Sequence, residues 1–447
     1  MSPKKLTLIG AGLAGSLLSI YLARRGFKVE IFERRPDMRS TEINAGRSIN
    51  LALSARGLHA LEKVDLKNRI MQIAIPMKGR MLHSLTGELN LVPYGRKESE
   101  VIHSVSRAEL NMQLMSEAEQ HGVELHFNQK CTGIDFESCE LKLRDEITNQ
   151  DSIKQTEIVI GTDGSASAIR TEMSKALDGN FTKDDLEHGY KELTIPAATD
   201  GRFLLEKNAL HIWPRQSYML IALPNLDGSF TCTLFFPMKG GLSFESLKTE
   251  EAVLAFFEEQ FPDAVKRMPT LVEDFFSNPT GALATIRCQP WHFGDKACLL
   301  GDAAHAIVPF FGQGINCGFE DCTVLDECAE KQSDDWQKIF QEFEKLRKIN
   351  TDAIAELSLG NYFEMRDQVA DAKFALKKQV EFALEEKYPE KFIPKYSMVS
   401  FHRIPYSVAL ERGKIQETIL AELCEPIDRV QDLDWGKAGE LIKSKLN

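Results

Sequence analysis

Three glycines near the start of the chain have the spacing of a turn that binds phosphate. Gly10, Gly12 and Gly15 fit the pattern G-x-G-x-x-G directly after an apolar run at residues 6–9. The missing Cβ allows a tight turn at the first glycine, the approach of a pyrophosphate at the second, and close packing of helix on strand at the third. The N-terminus of the following helix would offer unpaired N–H groups to the phosphate. The pattern predicts a dinucleotide site in a βαβ unit.

An acidic residue follows at the distance that such a site requires. Residues 28–33, KVEIFE, are typical of a second strand, and Glu33 ends it. Glu33 thus lies about 20 residues beyond the last glycine, where a ribose hydroxyl needs an acceptor. An ordinary glycine turn with a solvated Glu33 is the alternative. The succession of strand, turn, helix and acid favours the dinucleotide.

Two later segments narrow the choice of dinucleotide. Residues 161–170, GTDGSASAIR, and residues 301–305, GDAAH, each follow an apolar strand. Asp302 would stand at the carboxyl end of its strand, where it can accept hydrogen bonds from the ribityl hydroxyls of a flavin. Residues 309–316, PFFGQGIN, would lead into a helix whose N–H groups stabilise negative charge on the pyrimidine ring of a reduced flavin. FAD is therefore the predicted cofactor.

The segments GAGLAG, GTDGSASAIR and GDAAHAIVPFFGQG, in this order, resemble the class A flavoprotein aromatic monooxygenases, which share the fold of p-hydroxybenzoate hydroxylase. The resemblance implies that NADPH or NADH reduces FAD, which then reacts with O2 to a flavin C4a-hydroperoxide that hydroxylates an aromatic ring. It implies no catalytic side chain, because the cofactor carries the difficult step. Arg107, in the helix start SVSRAEL, is assigned to FAD by its place there; a surface arginine is the alternative. The predicted FAD contacts are Gly10, Gly12, Leu13, Ala14, Gly15, Glu33, Arg34, Arg107, Asp163, Asp302, Gly312, Gln313, Gly314, Ile315 and Asn316.

Five further segments are similar to a narrower group of this family, whose members hydroxylate L-kynurenine to 3-hydroxykynurenine in tryptophan degradation and NAD biosynthesis. These segments are residues 46–57, 80–95, 211–225, 360–367 and 392–406. The similarity implies L-kynurenine, O2 and NAD(P)H as small-molecule partners. It assigns six residues to the amino-acid end of the substrate or its surroundings: Arg80, Tyr94, Asn361, Tyr396, Glu364 and Met365.

The chemistry of these residue types suits an aromatic amino acid. A guanidinium such as that of Arg80 binds a carboxylate through two parallel hydrogen bonds, and the phenol of Tyr94 can donate another. Glu364 would balance the ammonium group. Taken singly, each has an ordinary interpretation: Arg80 as the partner of a surface acid, Tyr94 as an aromatic residue in a turn, and Glu364 as part of a solvated helix face.

The aromatic ring of the substrate needs a dry slot. Three alternate residues of one predicted strand share a face, and a phenylalanine lies on the next strand. A Pro-Phe pair within the third of the flavin segments would abut the flavin edge. Plain sheet core is the alternative for the strand residues. The predicted slot residues are Met219, Ile221, Leu223, Phe235, Pro309 and Phe310.

The elements that must position these residues indicate an α/β fold. A Rossmann-like FAD-binding domain opens the chain, an antiparallel β-sheet is inserted as a substrate domain, and a C-terminal helical region closes the substrate pocket. The predicted boundaries are 1–170 with 291–332 for the discontinuous FAD-binding domain, 171–290 for the substrate domain and 333–447 for the helical region.

Composition excludes several classes of function. The 447 residues include 54 Lys and Arg against 66 Asp and Glu, and a net charge of −12 argues against nucleic acid or an anionic membrane as partner. No apolar stretch reaches the about 18 residues of a membrane span. The 9 cysteines form no C-x-x-C pair and His305 has no partner at metal-ligand spacing, so no metal is expected. The resemblance implies a soluble, bacterial-type form, and we expect a cytoplasmic enzyme that is either a monomer or a homodimer.

Two other functions stay open on the sequence alone. The first is a class A hydroxylase for another anionic aromatic compound, such as a hydroxybenzoate. The joint presence of Arg80, Tyr94, Asn361 and Tyr396 argues for an amino-acid side chain instead. The second is an FAD-binding protein that serves as a redox-linked interaction module, which would bind flavin without substrate-stimulated oxidation of a pyridine nucleotide.

Overall fold

The computed structural model describes residues 4–40, 50–365 and 372–446. Parts of the segments 46–57 and 360–367 therefore lie outside the described residues. The chain forms two compact units. Unit 1 comprises Met1–Ile73, Val105–Asp185 and Ala284–Asp352, and unit 2 comprises Ala74–Ser104, Leu186–Leu283 and Ala353–Asn447.

The described strands are β1 (Lys5–Ile9), β2 (Lys28–Phe32), β3 (Asn50–Leu53), β4 (Ala74–Met77), β5 (Gly79–His83), β6 (Leu89–Pro93), β7 (Ile102–Ser106), β8 (Glu124–His126), β9 (Gln129–Asp135), β10 (Glu140–Asp145), β11 (Asp151–Gln155), β12 (Ile158–Gly161), β13 (Asn180–Ile195), β14 (Ala209–Arg215), β15 (Tyr218–Pro224), β16 (Phe230–Pro237), β17 (Gly281–Gln289), β18 (His292–Phe293) and β19 (Ala297–Leu299).

The described α-helices are α1 (Leu13–Arg24), α2 (Ala55–Lys63), α3 (Lys67–Met71), α4 (Arg107–Gln120), α5 (Ala168–Ala176), α6 (Glu250–Gln260), α7 (Pro262–Val265), α8 (Leu271–Ser277), α9 (Asp302–His305), α10 (Gly314–Gln332), α11 (Trp336–Phe363), α12 (Ala372–Lys387), α13 (Lys395–Ser400), α14 (Tyr406–Cys424) and α15 (Trp435–Lys445). Among the described residues, none of these helices has both the length and the apolar character needed to cross a bilayer.

Unit 1 is built on a six-stranded sheet ordered β18-β19-β12-β1-β2-β8. Neighbouring strands are parallel except at the edge pair β18–β19. Leu6, Leu8, Ile31 and Ile160 are fully buried, as in a parallel sheet covered on both faces. The predicted βαβ opening is confirmed. Because β1, β12 and β19 are parallel neighbours, their carboxyl ends lie at one edge of the sheet, which is where ligands bind in such folds.

Unit 2 contains most of a seven-stranded sheet ordered β17-β13-β16-β15-β14-β5-β6. It is antiparallel from β13 to β14 and between β5 and β6, whereas β14 and β5 are parallel. One face packs on α6, α7 and α8 through a core that includes Trp213, Phe230, Phe236 and Phe257. The predicted antiparallel sheet is present, with one parallel pair added.

The predicted C-terminal helices are also present. Helices α12, α14 and α15 share a core that includes Val380, Phe392, Ile419 and Ile442. This core is separate from the one beneath the sheet of unit 2.

The unit boundaries differ from the predicted domain boundaries. Residues 74–104, predicted within the FAD-binding domain, belong to unit 2 because β5 and β6 extend its sheet. Residues 333–352, predicted with the C-terminal helices, belong to unit 1, where Arg347 is buried against α10. The residues of the inserted sheet and the later C-terminal helices form one unit rather than two.

Candidate active site

The glycine turn lies between β1 and α1, and two of its glycines are required by packing. Gly10 has a φ of +101°, and a Cβ there would lie 2.8 Å from the carbonyl oxygen of Thr162. A Cβ at Gly15 would collide with the Gly10 carbonyl and with the Thr162 hydroxyl. Any larger residue at either position would push β1, α1 and β12 apart.

The third glycine leaves open space in front of a helix. In the described part of the chain, no atom beyond the glycine turn and its helix lies within 4 Å of the place that a Cβ of Gly12 would occupy. Gly12 is the N-cap of α1, so Leu13 and Ala14 begin the helix and their N–H groups have no acceptor within it. A pyrophosphate fits this cradle, because the site combines room, N–H donors and the positive end of the helix dipole.

Glu33 follows β2 and is tied to the same turn. Its side chain is largely buried; Oε2 accepts from the N–H of Ala11 at 2.9 Å, and Oε1 accepts from Nε of Arg35 at 2.8 Å. Burial by itself would raise the pKa of Glu33, but Arg35 and these hydrogen bonds hold the pKa below its ordinary value. Glu33 is therefore an ionised acceptor, as a ribose hydroxyl requires. Arg34, which the sequence predicted as an FAD contact, is exposed, and it is Arg35 that pairs with Glu33. Nothing in the sequence favours Arg35 over Arg34 for this contact.

The segment after β12 contains a buried acceptor without a donor. Asp163 Oδ2 accepts from the N–H of Ala168 at 2.7 Å and so caps the start of α5. Oδ1 is buried and has no hydrogen-bond partner among the described residues. Burial raises the pKa of Asp163 above its ordinary value. Since buried polar atoms are almost always paired, this atom fits a polar group of a bound cofactor.

Asp302 and Arg107 each begin a helix of unit 1. Asp302 follows β19 as the first residue of α9 and is exposed, after Gly301 with a φ of +63°. Arg107 is the first residue of α4 and is also exposed. Ser106 caps that helix by accepting from the N–H of Glu109 at 3.4 Å, as the spacing S-x-x-E predicts. Both side chains can reach solvent or a ligand.

The start of α10 is anchored by two of the predicted cofactor residues. Asn316 is fully buried; its Oδ1 accepts from the N–H of Ser54 at 2.8 Å, and its Nδ2 donates to two backbone carbonyls at 2.8 and 2.9 Å. Gln313 Nε2 lies 3.3 Å from the Ser54 hydroxyl. These amides therefore hold protein groups. The backbone N–H groups of Gly314 and Ile315 are the ones that a cofactor can use.

Pro309 and Phe310 lie in a short 3-10 turn before this helix. The turn covers Pro309–Phe311 and ends at Gly312, whose φ of +66° is left-handed. Phe310 is buried and Pro309 is exposed. Both belong to unit 1, whereas the other predicted substrate residues belong to unit 2.

A cluster in unit 1 was not expected from sequence spacing. His305, Cys317 and Asp321 are buried, and one potential ligand atom from each lies within 4.8 Å of the others. Arg347 occupies the same place: Nε donates to Asp321 Oδ1 at 2.6 Å, and Nη2 lies 3.3 Å from Cys317 Sγ. The guanidinium supplies the positive charge that a metal ion would bring, so the group is an ion-paired network.

Three of the predicted substrate residues form one buried cluster in unit 2. The rings of Tyr94 and Tyr396 are stacked, with centroids 5.1 Å apart and planes inclined by 6°. The guanidinium carbon of Arg80, on β5, lies 5.7 Å from the first centroid and 5.0 Å from the second. Both distances are within the range of a cation–π contact. The Arg80 side chain is thus held by contacts with the two tyrosine rings rather than by a hydrogen bond to a carboxylate.

Two donors of this cluster have no partner. Nε of Arg80 and the hydroxyl of Tyr94 are buried without a hydrogen-bond partner among the described residues. The carboxylate of Glu364 lies 3.9 Å from Nη1 of Arg80, beyond hydrogen-bond distance. Burial raises the pKa of Tyr94 well above its ordinary value, so its hydroxyl keeps its proton. Unpaired buried donors cost about 1–3 kcal/mol each, which indicates a site for a ligand that accepts hydrogen bonds.

Glu364 is an ionised carboxylate beside these donors. Burial alone would raise its pKa, but the charges of Lys378, Lys395 and Arg80 lower the pKa below its ordinary value. Lys378, on α12, pairs with Glu381 at 2.9 Å. Neither lysine was predicted, because nothing in the sequence separates them from the other lysines of these helices.

Asn361 and Met365 lie on the same side of the chain as Glu364. Asn361 lies in the last turn of α11, and Glu364 and Met365 directly follow its end, at spacings of three and four residues from Asn361 that favour one helix face. Nδ2 of Asn361 lies 3.2 Å from Sδ of Met365, and both residues are buried. The alternative of a solvated helix face therefore does not hold for Asn361, which is buried.

The predicted slot residues of the sheet share one face with Arg80. Leu82, two residues after Arg80, is opposite Ile212 on β14, which is opposite Ile221 on β15. Because side chains alternate between the two faces along each strand, the remaining slot residues of the sheet also lie on this face. The aromatic core of unit 2 lies on the other face. The residues on the Arg80 face are Met219, Ile221, Leu223 and Phe235.

Comparison with known proteins begins with the fold. Residues 5–327 match a family model described as an FAD binding domain. The structure of 2-methyl-3-hydroxypyridine-5-carboxylic acid oxygenase superposes with a TM-score of 0.67 at 19% identity, covering 86% of this chain and 98% of that one. The tetracycline destructase Tet(51) superposes with a TM-score of 0.60 at 17% identity, covering 89% and 98%. The fold and the glycine turn define a class A FAD-binding monooxygenase.

Sequence relatives give a narrower result. Kynurenine 3-monooxygenase of Myxococcus xanthus is 52% identical over 99% of this chain and 95% of its own. The enzyme of the same name from Flavobacterium johnsoniae is 47% identical, covering 96% and 95%, and that of Dictyostelium discoideum is 44% identical, covering 99% and 98%. The chain belongs to the kynurenine 3-monooxygenase family, and FAD is its cofactor.

Proposed function

We propose that the chain hydroxylates L-kynurenine to 3-hydroxykynurenine, with NADPH or NADH and O2 as co-substrates. One observation carries the proposal: among the described residues, Arg80 Nε and the Tyr94 hydroxyl are buried donors without hydrogen-bond partners, beside an ionised Glu364. An amino acid brings the carboxylate that these donors lack and the ammonium group that Glu364 favours. The names of the relatives, at 42–52% identity, point to kynurenine as that amino acid.

Arg80 and Tyr94 would bind the substrate carboxylate together. The guanidinium offers a planar fork of N–H donors, which suits the two oxygens of a carboxylate. Stacking on Tyr396, 5.0 Å from the guanidinium carbon, fixes the orientation of that fork before substrate arrives. Such preorganisation reduces the entropy lost on binding.

Glu364 would hold the ammonium group, with Asn361 and Met365 on the same helix face. The Glu364 carboxylate is 3.9 Å from Arg80 Nη1, so the two opposite charges that a zwitterion needs are adjacent. A substrate that has a carboxylate but no ammonium group would bring a negative charge close to Glu364 and no positive charge to pair with Glu364. This favours an amino acid over a simple aromatic acid.

The ring of the substrate would lie on the apolar face of the sheet. Met219, Leu223 and Phe235 are buried there and carry no hydrogen-bonding group, so they bind a ring and exclude water. Bound FAD, after reduction by NADPH or NADH, supplies one oxygen atom of O2 to that ring. No protein base is needed to activate the ring, because the aromatic amino group of the substrate supplies electron density.

FAD would be held by unit 1. Gly12 and the start of α1 receive the pyrophosphate, Glu33 accepts from a ribose hydroxyl, and Asp302 accepts from the ribityl chain. Asp163 offers its unpaired Oδ1 to a polar group of the cofactor. The first N–H groups of α10 would stabilise negative charge on the flavin ring.

We further propose a cytoplasmic enzyme, monomer or homodimer, that binds neither nucleic acid nor membranes. The net charge of −12 disfavours polyanionic partners. All nine cysteines are free, as in a reducing compartment.

The test is consumption of NADPH by the purified flavoprotein with and without L-kynurenine, with the product identified by mass. We expect stimulated oxidation and a product heavier by one oxygen atom. Stimulation with hydrogen peroxide as the sole product would show that kynurenine only mimics the true substrate. No stimulation would contradict the proposed activity.

The analogue of kynurenine that lacks the carboxylate is the matched control. It keeps the ring and the amine, so it tests the assignment of Arg80 and Tyr94 separately from the chemistry at the ring. We expect it to bind much more weakly than L-kynurenine. Equal KM values for the two compounds would contradict the assignment of Arg80 and Tyr94 to the substrate carboxylate.

A further inference from the structure

Asp321 holds both ends of the short segment that carries Asp302. Its Oδ2 accepts from the N–H of Gly301 at 3.2 Å and lies 2.6 Å from Nε2 of His305. Asp302 stands between these attachments as the first residue of α9. We propose that Asp321 is a positioning residue for FAD: it fixes the Asp302 carboxylate in place without itself contacting the cofactor. This inference rests on the assignment of Asp302 to FAD made above.

Asp321 is itself immobilised by Arg347 of α11. Asp321 is fully buried, and its second oxygen, Oδ1, accepts from Arg347 Nε at 2.6 Å. The remaining nitrogens of Arg347 donate to Glu320 at 2.6 Å and to the carbonyl of Cys317 at 3.3 Å. Every nitrogen of this guanidinium and both oxygens of Asp321 have partners. The carboxylate therefore cannot rotate away from the segment it holds.

The segment depends on this outside support. Helix α9 has four residues, too few to be stable alone, and no side chain caps its start. Gly301 has the left-handed φ of +63°, and its N–H points out of the helix to Asp321. Loss of Asp321 would leave the Gly301 N–H and the His305 ring without this partner, and Asp302 would no longer have one defined position.

The neighbouring acid provides a matched control. Glu320 is also buried on α10 and also pairs with Arg347, but its other oxygen accepts from Arg56 at 2.5 Å rather than from the α9 segment. Glu320→Gln and Asp321→Asn therefore make the same chemical change at adjacent positions of one ion-paired network. Only Asp321→Asn removes the carboxylate oxygen that accepts from the N–H of Gly301.

The experiment measures the Kd for FAD by titrating each apoprotein and following flavin fluorescence, with the thermal unfolding of each apoprotein recorded in parallel. An asparagine has one carbonyl oxygen, so it cannot serve Arg347 and the α9 segment together. We expect Asp321→Asn to raise the Kd about 10- to 100-fold, by analogy with the loss found when the outer partner of a metal ligand is removed. Glu320→Gln should lower the unfolding temperature to a similar degree and leave the Kd near that of the wild type.

Combination with Asp302→Ala separates positioning from general weakening of the protein. If Asp321 acts through Asp302, the double variant Asp302→Ala/Asp321→Asn should bind FAD about as weakly as Asp302→Ala alone. Additive losses in the double variant would overturn the inference, as would equal changes of Kd in Asp321→Asn and Glu320→Gln.

A second variant keeps the test decisive if Asp321→Asn does not fold. His305→Phe keeps a ring next to Trp291, whose centroid is 5.2 Å away, and removes only the Nε2 contact with Asp321. We expect a smaller but measurable rise of the Kd; an unchanged Kd would count against the inference. Wild-type affinity in Asp302→Ala would instead refute the assignment of Asp302 itself, so the two failures are distinguishable.

Discussion

Two buried arginines of this molecule have the same chemistry and opposite surroundings. Arg347 in unit 1 is 3% exposed, and each of its guanidinium nitrogens donates to a protein acceptor. Arg80 in unit 2 is 9% exposed, yet its Nε has no partner among the described residues and the Glu364 carboxylate stays 3.9 Å from Nη1. The paired arginine maintains the fold, and the unpaired one is available to a ligand.

The electrostatic surroundings separate the same two residues. Burial alone would lower the pKa of either arginine. Glu320 and Asp321 raise the pKa of Arg347 well above its ordinary value, whereas the pKa of Arg80 is raised by Tyr396 and Tyr94 ahead of Glu364. The two aromatic rings in contact with Arg80 accept no conventional hydrogen bond from it, so the guanidinium retains its capacity for a carboxylate. The presence of partners, rather than burial, distinguishes a binding site from a structural ion pair.

The largest expected effect is on the paired arginine. Arg347→Met should reduce the free energy of unfolding by about 3–5 kcal/mol, because it leaves the buried Asp321 without its cation and the buried Glu320 with Arg56 alone. Urea denaturation of the apoprotein measures this loss. A variant as stable as the wild type would show that the Arg347 network does not stabilise the fold, and the contrast between Arg347 and Arg80 would then fail.

Arg80→Ala should affect substrate rather than stability. We expect the KM for L-kynurenine to rise by the equivalent of about 2–5 kcal/mol, since a substrate carboxylate loses its charged partner. The free energy of unfolding should change much less than in Arg347→Met, because no hydrogen bond from Nε is lost. Steady-state kinetics and urea denaturation on the same preparation decide the matter; a large loss of stability with an unchanged KM would reverse the roles of the two arginines.

Tyr94→Phe tests the second unpaired donor. The ring and its stacking on Tyr396 remain, and only the buried hydroxyl is removed. A hydrogen bond to a charged acceptor is worth about 1.5–3 kcal/mol, so the KM for L-kynurenine should rise by the corresponding factor. Stability should stay the same or increase. Loss of stability without a change in KM would indicate a hydroxyl that is paired within the protein.

Glu33→Gln extends the comparison to a buried carboxylate that is partly paired. The amide keeps the shape of Glu33 but replaces a charged acceptor by a neutral one, at a difference of about 1 kcal/mol per hydrogen bond. We expect FAD to bind about fivefold more weakly, as measured by titration of the apoprotein. An unchanged Kd for FAD would argue that Glu33 serves only Arg35 and the glycine turn.

Acidification should act on the paired cluster with a defined sign. The pKa values of Glu320 and Asp321 lie below their ordinary values of 4.5 and 3.8, with burial opposing and the neighbouring cations lowering them. Their contribution to stability is therefore complete above about pH 6 and is lost as the pH falls through the range of the lowered values. The difference in unfolding free energy between wild type and Arg347→Met should shrink as the pH falls below about pH 4. A difference that grows on acidification would contradict this sign.

Much of the fold follows from local sequence patterns. The glycine spacing, the strand at residues 28–33 and the turn after residue 161 predicted the parallel sheet correctly, because each depends on a few neighbouring residues. The boundaries of the units did not follow, since β5 joins the second sheet through a partner more than 100 residues later, Arg80 opposite Leu210. Strand pairing over such a separation leaves no local signal.

The candidate site divides in the same way. The glycines, Glu33 and the set of Arg80, Tyr94 and Tyr396 were identified from residue type, motif and resemblance. Arg35, Lys378 and Lys395 were missed, because the sequence does not distinguish a lysine or arginine at an exposed position from one beside a buried carboxylate. The carboxylate that anchors the α9 segment was missed for the same reason.

The sequence by itself determined the class of cofactor, the order of the flavin motifs and the residue types that suit an amino-acid substrate. Those features depend on local spacing and on side-chain chemistry, which a single chain carries in full. Only the tertiary structure decided which buried charges are paired. The sequence does not distinguish Arg80 from Arg347. Helix packing places two carboxylates 2.6 Å from nitrogens of Arg347, whereas Arg80 on its sheet face keeps an Nε donor without a partner among the described residues. Pairing depends on contacts between distant segments, and these exist only once the chain has folded.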